Sequence, residues 1–317
     1  MSNSGSRHVG KRQFATLLTT FLASSALFGV LLAGLAVPAA GGVGLVAKAG
    51  PQVFDALPAE FEILPPSEQS TLLSADGSVL ATFYAENRII VPLEEISPYL
   101  QDAIISIEDR RFYEHKGIDP NGMARAAINN VSDQSTQGAS TITQQYVKNT
   151  LLEAGLQEGD QDKIDAATEQ TISRKLREAR YALALEQKMS KDDILTGYLN
   201  IAPFGTNVYG AEASARRYFS KSAKDLTIAE AAMMAGMVKS PIQYDPLNDP
   251  EAAQNRRDTV LAAMLAEEKI TQEEYDQATA IPIADMLKPN FRSQGCAGAG
   301  NAAYFCEYAR QYLLSSD

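Results

Sequence analysis

The spacing of apolar and polar positions changes several times along the chain, and each change marks an element. From Gln13 to Ala47 no charged residue occurs, and Phe14–Val37 is almost wholly apolar. A helix of that length crosses a hydrocarbon core of about 30 Å. Residues 13–37 are therefore expected to form a transmembrane signal anchor. Arg7, Lys11 and Arg12 precede it, so the positive-inside rule keeps residues 1–12 in the cytoplasm and places the rest outside. The run is longer than the roughly 7–15 apolar residues of a cleavable signal peptide, which favours an uncleaved anchor.

Residues 38–66 are rich in Gly, Ala and Pro and read as a tether. A small β element is expected over 67–95. Its strand-like runs are Ser70–Ser74, Val79–Tyr84 and Ile89–Val91, with a turn at Asp76-Gly77. From Ser97 the period becomes helical: Ser97 caps, Pro98 takes the first position, and Leu100, Ala103, Ile104 and Ile107 follow helical spacing. Ser190 with Asp193, Thr227 with Glu230 and Thr271 with Glu274 resemble capping boxes. The pattern predicts a mainly helical domain over 96–285. Residues 286–317 read as an irregular linker toward a domain beyond this chain.

Composition removes some functions. The net charge is −11 over 317 residues, so a general nucleic-acid surface, which displaces counterions with basic groups, is not expected. Any phosphate-bearing substrate must meet a local cluster of cations. The only histidines are His8 and His115, too few for a histidine-rich zinc site. Cys296 and Cys306 are the only cysteines; a disulfide and two free thiols both remain open.

Four segments carry candidate chemistry. In Ile104–Asp119, IISIEDRRFYEHKGID, helical spacing puts Glu108 at the border of the buried face. A carboxylate against apolar surface is desolvated, which favours its protonated form, and such a group is a better base near neutral pH. Helical spacing alone favours an ordinary boundary glutamate paired with Arg110 or Arg111, since perturbed carboxylates also occur in structural ion pairs. In Gln137–Asn149, QGASTITQQYVKN, a turn leads into a helix start bearing Ser140, Thr141, Gln144 and Gln145. Such a start suits sugar hydroxyls or an anion, and Lys148 adds a point charge for phosphate. A capped, solvated helix is the plain alternative.

In Arg174–Glu186, RKLREARYALALE, Arg174 and Glu178 have the spacing of a simple ion pair. Yet Arg174, Lys175, Arg177 and Arg180 crowd into seven residues of an acidic chain, and a pyrophosphate would account for them. The fourth stretch runs from Tyr198 through Lys239, Ser240 and Tyr244 to Arg256-Arg257, with Met233, Met234 and Met237 read as core.

In this order the segments resemble the five signature motifs of family 51 glycosyltransferases, the glycan-polymerising domain of class A bifunctional penicillin-binding proteins. The patterns ED..F..H.G.D, G.STITQQ..KN, RK..E, N...FG..YGAE.A and KSP..Y.P…RR fall at Glu108–Asp119, Gly138–Asn149, Arg174–Glu178, Asn200–Ala213 and Lys239–Arg257. Departures are Ala139, where glycine is usual, and Asp245, where asparagine is commoner.

The resemblance implies a lysozyme-like helical fold with a smaller lobe against the membrane. It implies a single-pass protein of the bacterial cell membrane that polymerises lipid II into β-1,4 glycan strands with inversion, releasing undecaprenyl pyrophosphate. Glu108 matches the general base. Glu178 matches a second glutamate that assists the pyrophosphate directly or through a divalent cation, magnesium or manganese, for which the sequence shows no ligand set. The candidate substrate contacts are Ser140, Thr141, Gln144, Gln145, Lys148, Arg174, Lys175, Asn200, Lys239 and Ser240, while His115 and Asp119 are expected to shape the loop after Glu108. The partners implied are lipid II, the growing lipid-linked glycan, the membrane and other wall-synthesis proteins.

A lysozyme-like glycan-cleaving enzyme is one rival, since paired carboxylates also serve glycosidases. A non-enzymatic membrane-tethered scaffold is the other. The S-x-x-K, S-x-N and K-T-G signatures of a penicillin-sensitive transpeptidase do not occur in these residues.

Overall fold

The computed structural model describes residues 63–123, 140–291 and 294–315. The expected anchor at 13–37, the tail before it and most of the tether lie outside them. Among the described residues no helix is long and apolar enough to cross a membrane.

The fold is mainly helical. A hairpin of β1 (Ser70–Leu73) and β2 (Val79–Phe83) turns at Gly77, which has φ of 82°. The third expected strand is displaced. Instead of Ile89–Val91, the paired residues are β3 (Asn87–Arg88), which lies parallel to β5 (Val208–Tyr209). β5 also pairs antiparallel with β4 (Pro203–Gly205), so β3 belongs to a second sheet in the order β3-β5-β4. The backbone of Val91 is instead bonded by a side chain: its N–H donates to Asn200 Oδ1 at 3.0 Å and its carbonyl accepts from Asn200 Nδ2 at 2.8 Å.

The helices begin with α1 (Pro98–Glu108), preceded by Ser97 and with Pro98 at its first turn. Ser97 does not cap it with its hydroxyl, which donates to Leu226 O at 3.1 Å instead. Proline at N1 has no amide proton to satisfy, so the start tolerates this. α2 (Ile142–Glu158) opens on a capping box of Thr141 and Gln144 and ends at Gly159 in the left-handed region. α3 (Gln161–Thr168) and α4 (Ile172–Leu185) follow, then α5 (Lys191–Ile201) behind the Ser190–Asp193 box. After α6 (Ala211–Phe219) comes α7 (Ile228–Met237), behind the Thr227–Glu230 box, and then α8 (Pro250–Ala266). α9 (Gln272–Thr279) starts on the Thr271–Glu274 box and is followed by the short α10 (Ile283–Met286).

The core sits around α7, where every residue from Ala229 to Met237 is buried. A helix apolar on all sides must be covered on all sides, and α1, α8 and α9 pack against it. Met233, Met234 and Met237 are core residues, as read from the sequence. α2 packs on α3, α4 and α5, which brings three of the four candidate segments onto neighbouring elements.

The C-terminal residues depart from the irregular linker expected. A 3-10 stretch, Gly295–Ala302, leads into α11 (Ala303–Leu314), and Cys296 is joined to Cys306 by a disulfide. The 3-10 stretch packs on β2, and Gln294 bonds the carbonyl of Tyr84. Cross-linking a loop between cysteines ten apart limits the freedom that its small residues would otherwise give it.

Candidate active site

Glu108 ends α1, with Asp109 as its C-cap. The Asp109 carboxylate is buried and has two partners. His115 Nε2 lies 2.9 and 2.8 Å from its two oxygens, and the Ile142 amide donates to Oδ2 at 3.0 Å. The turn between them relies on Gly117, whose φ is 90°; a Cβ there would meet the Ala182 backbone at 2.7 Å. Gly117 also offers its carbonyl to Thr141 Oγ1 at 2.7 Å. Farther along, Asp119 accepts from Arg111. Burial pulls its carboxyl upward, but the Arg111 guanidinium and the Gly122 backbone amide together outweigh burial and hold it below the usual range. His115 and Asp119 thus shape this loop within the chain.

The anchoring of Ile142 fixes where α2 begins, and therefore where Gln145 and Lys148 point. Gln145 Nε2 donates to Glu108 Oε2 at 2.8 Å, while Gln145 Oε1 accepts from the Tyr198 hydroxyl at 3.1 Å. Tyr198, on α5, is fully buried. Burial first, and the Glu108 charge second, push its phenol well above its ordinary range. The other side of Glu108 faces Arg256 on α8, whose Nη2 lies 3.9 Å from Oε1. Arg256 reaches this point across Gly236, where a Cβ would meet its Cγ at 2.9 Å, and it donates to the Gly236 carbonyl at 3.3 Å.

The second carboxylate, Glu178 on α4, is buried among cations. One oxygen is bonded by Arg174, and Lys175 Nζ lies 3.1 Å from the other. Lys175 Nζ also donates to Ser140 Oγ at 2.8 Å, which brings the second and third motifs together. Lys148 shares this region. Burial pushes its ammonium pKa down, Glu178 partly restores it, and Arg174 and Lys175 lower it further. A cation held among cations is poised for an anion.

The sequence-expected residues therefore divide. Glu108 and Gln145 are joined by a hydrogen bond, and Lys148, Arg174, Lys175, Glu178 and Ser140 form a second group linked by contacts or by charge. Thr141 and Gln144 are committed to the start of α2: each side chain accepts the other's backbone N–H, at 3.1 and 3.0 Å. Asn200 is buried and spends its amide on Val91 and on the Thr196 carbonyl at 2.9 Å. Lys239 is exposed and Ser240 half-buried, in the turn after α7.

The pattern along the chain does not single out Tyr198 and does not separate Arg256 from Arg257. Arg257 is fully buried and bonds the carbonyls of Thr279 and Ile281 at the end of α9. The Arg-Arg pair itself was visible, but which arginine turns inward depends on α8 packing against α7.

Comparisons with known proteins agree with the motif order. The model of the family described as Transglycosylase matches residues 76–265. Penicillin-binding protein 1A of Neisseria gonorrhoeae is 40% identical over 240 residues, covering 75% of this chain and 28% of that protein. Penicillin-binding protein 1A of Vibrio cholerae is 40% identical over 244 residues, covering 77% of this chain and 27% of its own length. Penicillin-binding protein 2D of Bacillus subtilis is 43% identical over 219 residues, covering 68% of this chain and 30% of that protein. The chain thus spans under a third of the length of these relatives.

Proposed function

The chain belongs to the transglycosylase family, and from that membership we propose that it is a peptidoglycan glycosyltransferase that polymerises lipid II. The observation that carries the reading is on α2. Gln145, which holds Glu108, and Lys148, which sits in the cationic cluster, are three residues apart on one helix. Residues at that spacing are neighbours on a helix surface, so a base and an anion-stabilising group flank one place.

The chemistry follows from those groups. The 4-hydroxyl of an incoming lipid II loses its proton to Glu108 as its oxygen attacks the anomeric carbon of the growing strand. The bond from that carbon to the pyrophosphate oxygen breaks, and the electron pair leaves with undecaprenyl pyrophosphate. Attack opposite the leaving group converts the α-linked donor into a β-1,4 bond. Lys148, Arg174 and Lys175, with Lys239 from the turn after α7, meet the charge that develops on the pyrophosphate. Fixed charges of this kind, placed before the reaction, are a large source of rate. Ser140, held by Lys175, and Ser240 supply hydroxyls to the sugar. Thr141, Gln144 and Asn200 serve by holding the α2 start and the 89–91 segment.

A resident divalent cation does not suit this donor set. Glu178 is one carboxylate among Lys148, Arg174 and Lys175, and a metal placed there would meet their repulsion.

The lipid-linked substrate suits a membrane-anchored enzyme, with residues 13–37 as a single-pass anchor and the catalytic domain outside. A lysozyme-like arrangement of the helices, work alongside other wall-synthesis proteins and continuation into a transpeptidase domain belong to the same reading. The test is conversion of labelled lipid II into a muramidase-sensitive polymer by the full chain in detergent. Polymer supports the reading. Shortening of preformed glycan would make the protein a lytic enzyme, and neither activity from a folded chain would favour a scaffold.

A further inference from the structure

Tyr198 carries a hydroxyl that the core has no use for. The residue is fully buried in the hydrophobic cluster, where phenylalanine would fill the same space. A buried phenol needs a partner, and among the described residues that partner is Gln145 Oε1 at 3.1 Å.

The direction of this bond is dictated by what lies beyond it. Gln145 faces a carboxylate on its other side, with Nε2 2.8 Å from Glu108 Oε2. Turning the amide over would set its oxygen against the carboxylate, an acceptor facing an acceptor. The amide nitrogen therefore faces Glu108, its oxygen faces Tyr198, and the phenol must donate. The other carboxylate oxygen is differently placed: Glu108 Oε1 has Arg256 at 3.9 Å, close enough to feel the charge but too far for a hydrogen bond.

We infer that Tyr198 is a positioning residue: by fixing the Gln145 amide it holds Glu108 Oε2 and leaves Oε1 as the oxygen that takes the proton. The inference rests on the reading of Glu108 as the base. During transfer the hydroxyl O–H bond breaks, the proton goes to Oε1, and the sugar oxygen bonds the anomeric carbon as pyrophosphate leaves with its electron pair. Oε2 becomes the carbonyl oxygen of the neutral acid, which still accepts from Gln145. The bond survives the step, so the base needs no rearrangement as it changes charge.

The experiment measures lipid II polymerisation by the full chain for Tyr198→Phe, Gln145→Leu and the double variant, across pH. Losing the phenol donor frees the amide, and kcat is expected to fall about tenfold with KM unchanged. The acidic limb of the kcat profile moves to higher pH, because the ionised carboxylate loses a fixed donor. The two substitutions act through one chain of bonds, so the double variant falls no further than Gln145→Leu.

A wild-type kcat and pH profile for Tyr198→Phe overturns the inference, as does a double loss equal to the product of the single ones. If Tyr198→Phe does not fold, 3,5-difluorotyrosine at position 198 replaces it. A stronger donor there moves the acidic limb to lower pH, and an unmoved limb counts against the inference. Glu108→Gln separates the two levels: full activity in that variant overturns the base itself, whereas an inactive Glu108→Gln beside a normal Tyr198→Phe removes only the role of Tyr198.

Discussion

Asp109 Oδ2 accepts the backbone amide of Ile142 at 3.0 Å, so the residue that closes α1 also holds the first turn of α2. Glu108 is the neighbour of one partner, and Gln145 lies three residues beyond the other. This bond sets the register between the base and the residue that orients it. A carboxylate suits the place because it also receives His115 Nε2 and meets the positive end of a helix.

Replacing Asp109 by Ala strands the Ile142 amide and the buried His115. The expected cost is about 3 kcal/mol of stability. Urea denaturation measures the loss, and lipid II turnover should fall even at temperatures where the variant is folded. An unchanged midpoint would mean that this bond does not hold the two helices in register.

Asn200 separates a substrate contact from a structural clasp. Its amide is used on Val91 and Thr196, so Asn200→Ala should cost about 2 kcal/mol and leave KM for lipid II unchanged. A raised KM with an unaltered melting temperature would return Asn200 to the substrate.

Lys148 tests the pyrophosphate. Lys148→Met should lower kcat by about a hundredfold without loss of stability, since it removes a desolvated cation that faces Arg174 and Lys175. Because its ammonium is pushed down, the wild-type rate should decline on the alkaline side earlier than an ordinary lysine would dictate. Lys148→Arg, which stays charged, should remove that decline. The kcat profile from neutral to alkaline pH decides both points.

Away from the site, Arg88 is fully buried between Glu86 at 2.7 Å and Glu153 at 3.1 Å, and it bonds the Ser67 carbonyl at 2.6 Å. Two carboxylates share one guanidinium. Burial and the nearby Glu153 push Glu86 up to about 7. Burial alone would raise Glu153 too, but hydrogen bonds from Glu86 and Ser67 together with the Arg88 charge hold it down at about 2.

Glu86 then binds a proton more tightly in the folded state than in the unfolded one. Its stabilising contribution is full below the unfolded pKa of 4.5 and is lost as pH rises through about 7. Glu153 contributes in the opposite sense, losing its share as pH falls from 4.5 toward about 2. Melting temperatures between pH 5 and pH 8 (a range of about 3 units, chosen to span the raised value) should fall with rising pH in the wild type. Glu86→Gln, which imitates the protonated acid, should flatten that slope; an equal slope in both proteins would contradict it.

The features legible in the sequence are the local ones. A capping box needs only residues three apart, so those at Ser190, Thr227 and Thr271 were readable. Glu108 was placed by helical spacing from Leu100 and Ile104. The third strand was not readable in this way. Ile89–Val91 has a strand-like composition, yet pairing with Val208–Tyr209 is set by distant residues, and the amide of Asn200 takes the bonds a strand would have made. The small residues after Met286 resembled a linker because composition does not register a disulfide or the packing on β2. Tyr198 and Arg256 reach Glu108 only through the packing of α5 on α2 and of α8 on α7, contacts that no spacing within one segment records.

Glu108 is tested most directly by comparing the wild-type chain with Glu108→Gln in glycan-strand formation from labelled lipid II, with circular dichroism confirming the fold of both. With Glu108 as the base, the wild type forms polymer and the variant works at a rate at least about a thousandfold lower. Equal polymerisation by the two would contradict that role, since Glu108 could not then be the base.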